Sequence, residues 1–62
     1  MSGPIIDPKP YSVVCAGVRL GPFTRKGART AAVDIIREWT ELGYRRSAEV
    51  FYRDGSIVEV VR

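Results

Sequence analysis

Residues 24–42 read TRKGARTAAVDIIREWTEL, and their periodicity decides the fold. Set at about 100° per residue, Ala28, Ala31, Ala32, Ile35, Ile36, Trp39 and Leu42 fall within one arc of roughly 140°, the width of a surface helix packed on a core. The rest of the chain must cover that stripe. Thr24 is placed to cap the helix through its hydroxyl, and Gly43 to stop it. Gly27 falls in the first turns at a cost of up to about 1 kcal/mol relative to alanine, so a proper start at Ala28 is also expected. Trp39, at the centre of the arc, reads as a core anchor rather than a binding hot spot.

Upstream of the helix, YSVVCAGVRL (residues 11–20) reads as a hairpin about Ala16-Gly17. In that register Cys15 faces Val18, Val14 faces Arg19 and Val13 faces Leu20. Tyr11, Val13, Cys15, Val18 and Leu20 then share one face, and Ser12, Val14 and Arg19 the other. Ala-Gly is a weaker turn signal than Asn-Gly, so a single strand from Tyr11 to Leu20 is the alternative. Gly21-Pro22 is expected to end the second strand, because proline has no amide for the ladder. Residues 1–10 hold three prolines and one glycine and read as a flexible N-terminal arm ahead of a single domain spanning 11–62.

Downstream, AEVFYRDGSIVEVV (48–61) reads as a second hairpin around Asp54-Gly55, one of the strongest two-residue turn signals. Tyr52 is expected to face Ile57, Phe51 to face Val58 and Val50 to face Glu59. One face carries Phe51, Val58 and Val60, the other Ala48, Val50, Tyr52, Ile57 and Val61 with Glu59 in the middle. One helix covers one face only. Burying Glu59 without a partner would be costly, so Phe51, Val58 and Val60 are expected inward. Val50, Tyr52, Ile57 and Val61, joined by Val14, would then form an exposed apolar patch of the kind that marks a protein interface. The bland alternative is scattered surface valines, common in strands.

The expected architecture is therefore α+β: a ββαββ chain with one helix packed on a mainly antiparallel four-stranded sheet, strands lying near 11–15, 18–21, 47–53 and 56–61. The helix reverses the chain, so the second and third strands run parallel. An all-antiparallel sheet needs another strand between them.

With 62 residues there is room for one domain, and a domain this small buries only about 60% of its unfolded surface. Disulfides, a metal or an oligomeric interface usually support such scaffolds. Cys15 is the single cysteine and there is no histidine, which excludes an internal disulfide and argues against a metal site. No leader-like n- and h-regions and no apolar run of membrane-spanning length occur, so a cytoplasmic location without membrane contact is expected.

The net charge of +3 is unevenly distributed. Residues 1–33 hold Lys9, Arg19, Arg25, Lys26 and Arg29 against Asp7 alone, whereas the five arginines of 34–62 are outnumbered by acids. Lys26, Arg29 and Arg37 line one flank of the helix, and Asp34, Glu38 and Glu41 the other. Arg25, Lys26 and Arg29 also crowd the helix N-terminus, which the macrodipole disfavours. A positive helix start with unpaired amides is a candidate anion or nucleic-acid site, with Arg19 and Lys9 extending it and Tyr11 or Phe23 available for stacking. The bland reading is a solvated basic flank that aids solubility. GPFTRKG (21–27) is not a P-loop, since Lys26 precedes Gly27 and Ala28 follows it. No base stands ready to activate a nucleophile, and Cys15 falls on the expected inner face as a small packed hydrophobe. Neither catalysis, a cofactor nor a small-molecule substrate is expected.

VRLGPFTRKGA (18–28), followed by Ala31-Ala32, Trp39 and the closing Leu42-Gly43-Tyr44, resembles the strand, turn and helix segment of SPOR-type peptidoglycan-binding repeats. The same pattern is similar to small orphan proteins of actinobacterial phages. Arginine outnumbers lysine eight to two and Asn and Gln are absent, as expected of such a GC-rich source. The first resemblance implies peptidoglycan binding, the second a small viral accessory protein in the host cytoplasm. The leading expectation is a non-catalytic protein that forms a homodimer and binds a protein partner through Val14, Val50, Tyr52, Ile57 and Val61. The alternative is nucleic-acid or anion binding through Arg19, Arg25, Lys26, Arg29 and Arg37.

Overall fold

The computed structural model describes residues 9–62, so most of the expected N-terminal arm lies outside the described residues. The order is β1 (Tyr11–Cys15), β2 (Val18–Phe23), α1 (Arg25–Glu41), β3 (Ala48–Tyr52) and β4 (Ile57–Val61). The strands form an open antiparallel sheet in the order β2-β1-β3-β4. β1 is thus the strand that separates β2 from β3, and the parallel pairing the helix would otherwise impose is avoided.

The first hairpin has the expected register, Cys15 to Val18, Val14 to Arg19 and Val13 to Leu20. Ala16 and Gly17 both take positive φ, 53° and 78°, the geometry of a two-residue turn whose twist matches the strands. Alanine tolerates this poorly, and the glycine beside it removes half of the strain. The strand does not end at Gly21-Pro22 as expected. It passes through an irregularity opposite Ser12 and resumes at Phe23, which pairs with Tyr11. β2 is an edge strand, where a residue without an amide is tolerated, and the bulge returns Phe23 to the helix side.

The helix begins at Arg25 rather than Ala28, with the Thr24 hydroxyl accepting a hydrogen bond from the Gly27 amide at 3.0 Å. A β-carbon on Gly27 would lie 3.1 Å from that hydroxyl, so the glycine leaves room for the cap. At the other end Gly43, with φ of 89°, lets the Tyr44 amide reach the Trp39 carbonyl and the Gly43 amide the Thr40 carbonyl. This is a Schellman closure, and its usual apolar contact is supplied by the Tyr44 and Trp39 rings, 5.4 Å apart edge to face.

Ala28, Ala32 and Ile36 are the buried residues of the helix, packed with Val13, Cys15, Ala48 and Val50 of the two central strands. Alanine at two successive turns lets the helix backbone approach the sheet closely. Ala31, Ile35 and Trp39 flank this core, but Leu42, expected within the same arc, is 71% exposed. It is the C-cap, past the last turn that overlies the strands. Cys15 is buried with its thiol unpaired.

The second hairpin departs from expectation twice. The Tyr52 amide donates to the Ser56 carbonyl and the Gly55 amide to the Tyr52 carbonyl, which makes a three-residue loop of Arg53, Asp54 and Gly55 instead of a two-residue turn. Phe51 therefore faces Ile57, not Val58. Val58 is then the extra residue of a bulge, after which Val50 faces Glu59 as expected. The loop shifts the register by one and the bulge restores it.

The first hairpin faces as expected, with Val13 and Cys15 in the core, but the facing of the second hairpin, Ile57 apart, is the reverse of that expected. Val50 is 2% exposed, Val61 packs against the core and Tyr52 lies on the helix side, its ring 5.3 Å from Tyr11. Phe51, Val58 and Val60 do not point inward. The expectation rested on an unpartnered Glu59, whereas Glu59 lies on an edge strand, keeps partial exposure and meets Arg29 of the helix at 3.6 Å. The penalty that would have turned the sheet over is not incurred.

Candidate functional site

The outer face of the sheet is built from two cross-strand rows. Arg19, Val14, Glu49 and Val60 succeed one another from β2 to β4, and beside them run Ser12, Phe51 and Ile57. Ile57, Val58 and Val60 are 55%, 41% and 44% exposed. Val14 and Phe51 are half-buried, and the Arg19 guanidinium lies 5.9 Å from the centre of the Phe51 ring. Among the described residues no element covers this face, since the single helix occupies the other. Five large apolar side chains thus share one surface with one cation, one carboxylate and one hydroxyl.

Of the five interface residues expected from sequence, Val14 and Ile57 lie on this outer face. Val50, Tyr52 and Val61 are corrected to the helix side, where Val50 is core and the other two are partly covered. Phe51, Val58 and Val60 take their place. Choosing between the faces required knowing that Glu59 has a partner thirty residues away, which strand alternation does not carry.

The basic residues divide into separate groups. Arg25, Lys26 and Arg29 line one hollow at the start of the helix together with Glu59. Arg29 is thereby engaged by a carboxylate. Arg37 lies further along the exposed flank. Arg19 does not join them: it belongs to the outer face and to a hollow with Lys9, Tyr11, Pro22 and Arg53. A third hollow, at the other end of the helix, is lined by Ile36, Thr40, Arg45, Arg46, Ser47 and Arg62. Sequence reasoning passed over these arginines. The adjacent pair after Gly43 was the available signal, but only the β3–β4 register brings Arg62 near them.

Among the described residues no group of three or more His, Cys, Asp or Glu side chains is arranged to hold a metal, and no helix is long and apolar enough to cross a membrane. One carboxyl has a shifted titration. The Asp54 side chain accepts hydrogen bonds from the Ser56 hydroxyl at 2.6 Å and from the Ser56 amide at 2.8 Å, which hold its pKa below the usual carboxylate value. This is turn chemistry, at an exposed loop. Compared with family models, curated proteins and solved structures, the chain matches none.

Proposed function

We propose that the protein is a non-catalytic accessory protein that acts by binding: it forms a homodimer through the outer sheet face and, as a dimer, binds a protein partner. What carries this reading is the exposure of Ile57, Val58 and Val60 beside Phe51 and Val14, on a face that no described element covers. Contiguous apolar surface of this kind on a small domain marks a docking site. The core beneath the helix adds a second argument: its largest fully buried side chains are Val13, Val50 and Cys15. Burying the other face of the sheet against a partner supplements a core that small.

Nucleic-acid binding through the helix start receives less support, because Arg29 is paired with Glu59 and Arg19 stands on the other side of the sheet. The two readings separate by salt. Sedimentation equilibrium between about 50 and 200 mM salt should return the same dimer mass throughout, since apolar burial is insensitive to screening. Val60→Lys should sediment as a monomer with an unchanged circular dichroism spectrum. A native chain that is monomeric at every concentration, or a Val60→Lys chain that still dimerises, overturns the proposal.

A further inference from the structure

The hollow at the C-terminal end of α1 gathers three guanidinium groups and two hydroxyl-bearing residues and no acid: Arg45, Arg46, Arg62, Ser47 and Thr40. Its construction follows from two local features. The Schellman closure turns the chain so that Arg46 lies over the Trp39 ring at 5.0 Å and over Tyr44 at 5.8 Å, which fixes one guanidinium by cation–π contact. The pairing of Ala48 with Val61, continued by one residue, sets Ser47 beside Arg62. Neither Arg45 nor Arg62 has an acidic partner among the described residues.

The ordinary reason for cations at this place is to hydrogen-bond the last helical carbonyls. The carbonyls of Glu38, Trp39 and Thr40 are already taken. The Leu42 amide reaches the Glu38 and Trp39 oxygens, Gly43 donates to Thr40, Tyr44 to Trp39, and the Thr40 hydroxyl to Ile36. Three guanidinium groups thus line one hollow that no acidic side chain lines.

We propose that this hollow binds a phosphate group, as the free ion or as a phosphomonoester. Guanidinium forks match the oxygens of phosphate in bidentate geometry, the Ser47 hydroxyl adds a donor, and a dianion offers enough charge to answer several arginines at once. A local hollow lined by arginines suits a compact oxyanion rather than an extended phosphodiester backbone, which would call for a stripe. None of these residues is among the five apolar side chains of the outer face.

The test is an amide NMR titration of the full chain with inorganic phosphate, with glycerol phosphate and with chloride at matched ionic strength. Saturable shifts are expected at Arg45, Arg46, Ser47 and Arg62 with both phosphates, without comparable shifts at Arg25 or Lys26 and without saturation by chloride. Arg45→Gln and Arg62→Gln, with otherwise superimposable spectra, should each weaken binding about tenfold, whereas Lys26→Gln should not. Tighter binding of glycerol phosphate assigns an organic monoester, and equal binding assigns the ion itself. Linear shifts spread over all cationic residues, or an Arg45→Gln chain that binds as tightly as the native one, would overturn the assignment.

Discussion

The Nε of Arg29 on α1 lies 3.6 Å from Oε2 of Glu59 on β4, and this contact joins the helix to the edge of the sheet it covers. Glu59 is the one acidic residue of β4, and its partial exposure at the sheet edge, with Arg29 beside it, leaves it little penalty on the side where Val50 and Val61 face the helix. The Arg29 side chain remains 71% exposed, so the attraction is screened and modest. A double-mutant cycle of Arg29→Ala and Glu59→Gln, followed by chemical denaturation, should give a coupling of about 0.5 kcal/mol. A value of several kcal/mol would mean that the pair is desolvated far more than its geometry indicates.

The facing of the sheet is open to a separate test. In a Val60→Lys background, where association is removed, Val50→Ala should cost about 2 kcal/mol because a fully buried side chain is truncated. Ile57→Ala should stay within about 0.5 kcal/mol. Equal losses, or a larger loss for Ile57, would contradict a sheet that buries Val50 and exposes Ile57.

The loop of the second hairpin has its own signature in pH. Because the Ser56 hydroxyl and amide lower the Asp54 pKa, the contribution of this carboxylate is complete above the pKa it has in the unfolded chain. It is lost as pH falls through the depressed folded value. An NMR titration of the Asp54 carboxyl should find its midpoint below that of an unstructured aspartate, and Ser56→Ala should raise it. An unmoved midpoint in Ser56→Ala would show that the hydroxyl is not the cause.

Much of this architecture is legible in the amino-acid order. The Ala28-to-Trp39 stripe gives the helix, Thr24 and Gly43 mark its ends, and Ala16-Gly17, with the clean split of faces on either side of it, gives the first register, because each is a preference of neighbouring residues. Asp54-Gly55 is different. The same dipeptide fits a two-residue turn and the end of a three-residue loop, so the register beyond it is ambiguous by one residue. The compensating bulge at Val58 leaves no mark of its own. The exposed face then turned on the partner of a single carboxylate, and the hollow of Arg45, Arg46 and Arg62 on a pairing of chain segments that only the folded sheet brings together. Long-range contacts, not propensities, decided both.

The most direct measurement of the central claim is an isotope-filtered NOE experiment on a mixture of labelled and unlabelled chains. The account predicts intermolecular cross-peaks that join the methyl groups of Val14, Ile57, Val58 and Val60 and the ring of Phe51, and none from Ala28 or Ala32 beneath the helix. A spectrum without intermolecular cross-peaks, from a chain tumbling as a monomer, would contradict it. So would cross-peaks confined to the exposed side of α1, such as Val33.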